Sequence, residues 1–318
     1  MVRAVAATAY GGPEVIGVVD VEPRAPAPGE VTIAVRAAAL NRWDAKQAEG
    51  AAGADPGKLP VRLGNEASGV VTAVGEDAVG LEGEPLAVGD EVFGMRLRGA
   101  QASELTVKAG LLLRKPREVA FAEASGLLAN GTTAVHALEA VGVGEGDTVL
   151  LHSASGAVGW LVSQLAILRG ARVIGTASAR NHDALRGLGV EPVTYGDGLE
   201  ERVRALAPGG VDAAIDTVGT DEAVAVSLAV LAEPARLVTI ANAQFDAVLA
   251  AGGQAIGGGA GADPGTAIRD AARLTLADLL AEGRIRVDVA RTYPLEDARA
   301  AYEQLVTGHA GGKVVLEP

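Results

Sequence analysis

The stretch TVLLHSASGAVGWLVSQLAILRGARVIGTASARN, residues 148–181, decides the fold. It opens on an apolar run and turns through the small residues Ser153, Ala154, Ser155, Gly156, Ala157, Val158 and Gly159. A helical pattern follows, then a second apolar run. Val158, Leu161, Val162, Leu165, Ala166 and Leu168 recur near the 3.6-residue period, which predicts a helix with one buried face. Gly170 stands where a left-handed C-terminal cap belongs. Strand, tight turn, helix and strand in that order make a dinucleotide-binding unit. Its fingerprint here, Ala154-x-Gly156-x-x-Gly159, keeps two of the three glycines. Gly156 lets backbone approach a pyrophosphate, and Gly159 lets helix and strand pack closely. Ser155, Gly156, Ala157, Val158 and Gly159 would then offer the helix's free N–H groups and positive dipole end to the phosphates. The alternative is a tight turn in an α/β protein that binds no nucleotide.

The end of the stretch bears on which dinucleotide binds. An NAD site usually carries Asp or Glu about 20 residues on, to bond the ribose 2′-hydroxyl. Here the region reads Gly175-Thr176-Ala177-Ser178-Ala179-Arg180-Asn181, without a carboxylate to repel a 2′-phosphate. Ser178 can donate a hydrogen bond and Arg180 a charge-assisted one. NADPH is therefore the expected cofactor, with Arg180 as a solvated arginine the bland reading.

Around this unit, 318 residues suggest two domains, and 49% hydrophobic residues can fill two cores. No cysteine is present, which excludes disulfides, thiolate metal sites and a cysteine nucleophile. The net charge of −13 argues against a nucleic-acid surface. The first residues lack the long apolar core of a signal peptide, and the longest apolar stretch, 223–232, is too short to span a bilayer. These features predict a soluble, cytoplasmic chain that binds neither membrane nor nucleic acid.

Residues 1–118 read as β-rich, with β-type runs at 31–35 and 69–74 between Gly and Pro turns. From 119 to 262 strands alternate with helical stretches, the pattern of a parallel sheet. Its expected strands are Thr148–Leu151, Arg172–Ile174, Val211–Ile215 and Arg236–Ile240, with the Gly-rich patch 252–261 as a short final strand. A helix is expected over 266–281 and a last strand near 312–316.

Across nearly its whole length the chain resembles the medium-chain dehydrogenase/reductase superfamily, in its zinc-free quinone oxidoreductase branch, which includes zeta-crystallin. The resemblance rests on Tyr10-Gly11-Gly12-Pro13-Glu14-Val15, Asn41-Arg42-Trp43-Asp44-Ala45-Lys46, Gly64–Val71, Gly89–Gly94, Ser155–Gly159, Asp216-Thr217-Val218-Gly219 and Gly308–Leu316. It implies an α/β protein: a Rossmann doubly wound domain at 119–262, with 1–118 and 263–318 joined as a β-rich, GroES-like catalytic domain. It also implies hydride transfer from NADPH to a quinone or activated alkene, and a homodimer. The final Gly-rich strand, whose edge would otherwise be exposed, suits such an interface.

Zinc-dependent relatives carry a Cys near the first Asn41-type motif and a His-Glu pair at the second. Here Asn41 takes the Cys-like place, and Asn65 precedes Glu66 where His would stand. Neutral amides are poor zinc ligands, and the four histidines (His136, His152, His182, His309) are scattered, so no metal is expected. By resemblance, Asn41 donates to a carbonyl or holds the nicotinamide. Lys46 polarises an oxygen or stays paired with Asp44. Thr133, Thr176, Tyr195, Val218, Ile240 and Lys313 fall at cofactor-side positions. Aromatic residues are only 3% of the chain, so substrate shape is weakly specified. Two other readings stay open: a biosynthetic enzyme on the same scaffold performing a non-redox addition or cyclisation, and a crystallin-like structural protein.

Overall fold

The computed structural model describes residues 1–51, 53–308 and 311–318. His309 and Ala310, within the Gly308–Leu316 motif, lie outside the described residues. The chain divides into two compact units, one of residues 1–129 with 274–318 and one of residues 130–273.

The second unit is built on a six-stranded sheet in the order Glu191–Val193, Arg172–Thr176, Thr148–His152, Ala213–Asp216, Leu237–Thr239, Gln254–Ala255. Every pairing is parallel. The order is that of a doubly wound dinucleotide-binding sheet, whose ligands sit beyond the carboxyl ends of the strands. Leu150, Ile174, Ala214 and Leu237 supply the sheet's share of a core that also takes Val203, Val224 and Val248. All four expected runs became strands. The strand Glu191–Val193 lacked an apolar run to announce it, and Tyr195 lies past its end rather than on it. The Gly-rich patch supplies only the two-residue edge strand Gln254–Ala255, because its glycines turn the chain away at once.

The helix Ala157–Leu168 differs from the expected one-faced amphipath. Every residue from Gly159 to Ala166 is buried, while Leu168 at the end is exposed. The two polar residues within this buried run bond to their own helix. Ser163 Oγ donates to the Gly159 carbonyl at 2.9 Å, and Gln164 Nε2 donates to the Trp160 carbonyl at 3.1 Å. Polar groups bonded this way cost little to bury.

The first unit carries a seven-stranded sheet centred on Glu30–Ala39, which pairs with Glu66–Val74 on one side and with Glu104–Lys108 and Lys313–Glu317 on the other. The last strand therefore completes a sheet begun by the first third of the chain. A three-stranded sheet of Ile16–Val21, Val2–Ala7 and Val61–Arg62 accompanies it. The change of texture at 118/119 does not coincide with the division at 129/130. The short helix Phe121–Ser125 packs on the strands Glu30–Ala39 and Glu66–Val74, and Ser68 Oγ donates to the Phe121 carbonyl at 2.6 Å. Likewise the helix Thr266–Ala281 runs across the second division at 273/274. Among the described residues, no helix is long and apolar enough to cross a membrane.

Candidate active site

In the second unit, the loop after the strand Thr148–His152 is tied down before it reaches the helix. Ser153 takes a left-handed φ of 61°, the conformation that a glycine in its place would adopt without strain. Its N–H donates to Thr176 Oγ1 at 3.0 Å, and the next N–H, from Ala154, donates to the Thr176 carbonyl at 2.9 Å. Thr176 is thereby buried as a loop anchor, a role distinct from the expected cofactor contact. Gly156 caps the helix without any side-chain acceptor, so the first-turn N–H groups of Ala157 and Val158 are left for an anion. A Cβ on Gly159 would meet the Ser153 carbonyl oxygen at 2.2 Å, so the closeness of turn and helix requires glycine there.

The next strand end carries Ser178, Arg180 and Asn181. Asn181 Nδ2 donates to Ser155 Oγ at 2.9 Å and to Ser178 Oγ at 3.2 Å, which joins the glycine loop to the neighbouring strand end. Arg180 is exposed, in the turn Ala179–Asn181. The nearest carboxylate along the chain, Asp183, pairs with Arg186 at 2.7 Å. At the end of the strand Ala213–Asp216, buried Asp216 accepts the N–H groups of Val218 and Gly219, both at 2.9 Å, and the hydroxyl of Thr239 at 2.7 Å. This carboxylate shapes the turn that leaves Val218 47% exposed. Ile240 follows the strand Leu237–Thr239, half-buried, with its N–H on the Asp216 carbonyl at 3.0 Å. Tyr195 is 52% exposed, and Thr133 is half-buried on the helix Leu128–Ala140. Beneath the loop, burial lowers the His152 pKa to about 4, so its imidazole stays neutral against Ser227 Oγ at 3.0 Å.

The first unit gathers Asn41, Glu66 and Lys313. Asn41 is the N-cap of the helix Arg42–Ala48 in a capping box, and its backbone N–H donates to Asp44 Oδ2 at 2.9 Å. Its side chain faces two charges. Lys313 Nζ donates to Asn41 Oδ1 at 2.7 Å and pairs with Glu66 Oε1 at 2.8 Å. Asn41 Nδ2 donates to the same Glu66 oxygen at 3.0 Å, while Glu66 Oε2 takes the Ala129 N–H at 2.9 Å. Lys313 is only 2% exposed, so its ammonium serves this cluster.

Asp44 turns inward rather than toward Lys46, since residues two apart do not share a helix face. It is fully buried, receives Gln101 Nε2 at 3.4 Å, and Gln101 in turn accepts from the buried Tyr302 hydroxyl at 2.9 Å. Burial pushes the Asp44 carboxyl up to about 7. The same burial, with Asp44 nearby, holds the Tyr302 hydroxyl protonated well above the ordinary tyrosine range. Lys46 is half-buried, and among the described residues its ammonium has no hydrogen bond or ion pair.

Sequence reasoning gave no role to Asn181 in the second unit, nor to Glu66, Gln101 and Tyr302 in the first. Only Glu66 had a signal, as the second member of a His-Glu pair whose first member is missing.

The donor set does not fit a zinc ion. A neutral amide is a poor ligand, and the ammonium 2.8 Å from the one carboxylate would repel a divalent cation. Among the described residues, no three His, Cys, Asp or Glu side chains cluster as metal ligands.

Comparison with known proteins fits this geometry. Residues 27–117 match the alcohol dehydrogenase GroES-like domain, and residues 188–316 match the zinc-binding dehydrogenase family. The chain is 34% identical over 306 residues, 91% of its length, to the spectinabilin polyketide synthase system protein NorB of Streptomyces orinoci. It spans only 13% of that relative's own length. Among solved structures, a mycobacterial quinone oxidoreductase aligns over 100% of both chains at 31% identity and a TM-score of 0.79. The Escherichia coli quinone oxidoreductase complexed with NADPH aligns over 99% of this chain and 100% of its own at 26% identity and a TM-score of 0.84. With its GroES-like and Rossmann domains, the chain belongs to the medium-chain dehydrogenase/reductase superfamily, with quinone oxidoreductases among its structural neighbours.

Proposed function

We propose that the protein is a zinc-independent, NADPH-dependent reductase that delivers a hydride to an activated alkene or a quinone. The observation that carries the cofactor choice is the second strand end, where Ser178, Arg180 and Asn181 stand in a stretch, 175–181, that contains no carboxylate. The first-turn N–H groups at Ala157 and Val158 suit a pyrophosphate, and Gly156 and Gly159 leave room for it. When bound, NADPH supplies the hydride.

The chain's own part is to hold the acceptor and receive charge as it develops on oxygen. Asn41 keeps one Nδ2–H beyond its bond to Glu66 and donates it to a carbonyl, of the acceptor or of the nicotinamide. Lys46, whose ammonium pairs with no described residue, polarises the acceptor oxygen. In an activated alkene, hydride adds to the β-carbon, the electron pair moves to the carbonyl oxygen, and a solvent proton completes the α-carbon. The likeness to a polyketide synthase system protein favours the alkene over the quinone. We further propose a cytoplasmic homodimer joined at the Gln254–Ala255 edge.

The test follows NADPH absorbance with a panel of enones, enoyl thioesters and quinones, for the wild type, Asn41→Ala and Lys46→Ala. Oxidation that falls in either variant supports the reading. Tight NADPH binding without oxidation of any acceptor overturns it in favour of a non-redox enzyme. No nucleotide binding leaves only a structural role.

A further inference from the structure

We propose that Lys313 is a positioning residue, a covalently attached cation that orients the carboxamide of Asn41 where zinc-dependent relatives carry metal ligands. Its effect on turnover rests on the reductase reading above; the geometry does not.

An ammonium only donates hydrogen bonds. With Lys313 Nζ at 2.7 Å, the facing atom of Asn41 must be the oxygen, and a flipped amide would press its NH2 group against NH3+. Glu66 closes the ring from the other side, accepting from Asn41 Nδ2 at 3.0 Å with the oxygen that pairs with Lys313. Its second oxygen is held by the Ala129 N–H. One carboxamide hydrogen remains, in a fixed direction. Donation from the ammonium into Oδ1 also polarises the amide, which makes that hydrogen a better donor.

The fold makes room for this device. A Cβ on Gly126 would lie 2.9 Å from Lys313 Cγ, so the lysine stem packs directly against a glycine backbone. Lys313 and Glu66 are 2% and 1% exposed. A buried ion pair is seldom the most stable filling for such a site, so its return lies in orientation.

The test compares Lys313→Met with the double variant Lys313→Met/Glu66→Gln. The single variant strands the Glu66 charge and lowers the melting temperature. The double variant removes both charges at nearly constant shape, and its melting temperature recovers. A positioning role predicts that kcat in the double variant stays down by about 100-fold, the scale of a misplaced group, with KM for the acceptor little changed. A kcat that returns with the melting temperature overturns the proposal.

A second measurement does not depend on activity. In nitrogen-resolved NMR, the Asn41 side-chain NH2 pair, assigned by its loss in Asn41→Asp, exchanges slowly in the wild type and rapidly in the double variant. Equal exchange in both overturns the proposal. If the wild type reduces no acceptor, the reductase reading fails and this measurement alone decides the role of Lys313.

Discussion

The Cα of Gly159 sits so close to the Ser153 carbonyl oxygen that any Cβ there would stand 2.2 Å from it. The neighbour is backbone, already fixed by Ser153's own N–H on Thr176, so it cannot step aside. Gly159→Ala is expected to destabilise the fold by about 1–3 kcal/mol, the usual cost of overpacking. Nucleotide affinity should fall with it, because the same turn aims the helix N-terminus. Thermal melts and a tryptophan-fluorescence titration with NADPH check both.

Arg180→Ala is expected to weaken NADPH binding by about 1–3 kcal/mol, the range for a hydrogen bond to a charged group. NADH binding should hardly change, since NADH lacks the 2′-phosphate. Parallel titrations of both nucleotides decide the matter, and equal losses would place Arg180 elsewhere in the site.

Asp44 gives a pH dependence with a defined sign. Its carboxyl titrates at about 7 in the fold, against an ordinary value of 3.8. Between those pH values the folded chain holds the proton and the unfolded chain does not. Asp44 therefore subtracts stability as pH rises through that window, at about 1.4 kcal/mol per unit of separation. Asp44→Asn keeps an acceptor for the Asn41 N–H and has no charge to bury. Its melting temperature relative to wild type should climb from pH 4 to 7 and level off above. A flat difference across that range would show that Asp44 ionises freely in the fold.

A homodimer joined at the Gln254–Ala255 edge of the parallel sheet is the expected state in solution. Light scattering at micromolar concentration should return twice the chain mass of 31.9 kDa, and a monomer would exclude the interface.

What could be read in advance followed from local pattern. The runs at 148–151 and 172–174 are short, apolar and bounded by turn residues, and the helix over 266–281 has both its ends where expected. Three things were hidden for different reasons. Glu191–Val193 contains proline and glutamate and is a strand only because Ile174 and Thr176 pair with it. The burial of Ser163 and Gln164 was hidden, since a side chain bonding its own helix leaves no trace in periodicity. Lys313 resembled a cofactor-side residue, but its partners are chosen by sheet pairing across the whole chain.

That distance shapes how the protein is made. Asn41 and Lys313 are separated by 272 residues, and the second unit lies between them in sequence. On the ribosome, Glu66 emerges early into a half-built sheet whose counter-charge does not yet exist. The sheet pairing between Glu30–Ala39 and Lys313–Glu317 must also wait. The inserted Rossmann unit is complete sooner, so it can fold while the surrounding unit is still open. Folding can thus run from the middle outward, with Lys313, made after the inserted unit, supplying the counter-charge to Glu66, made before it.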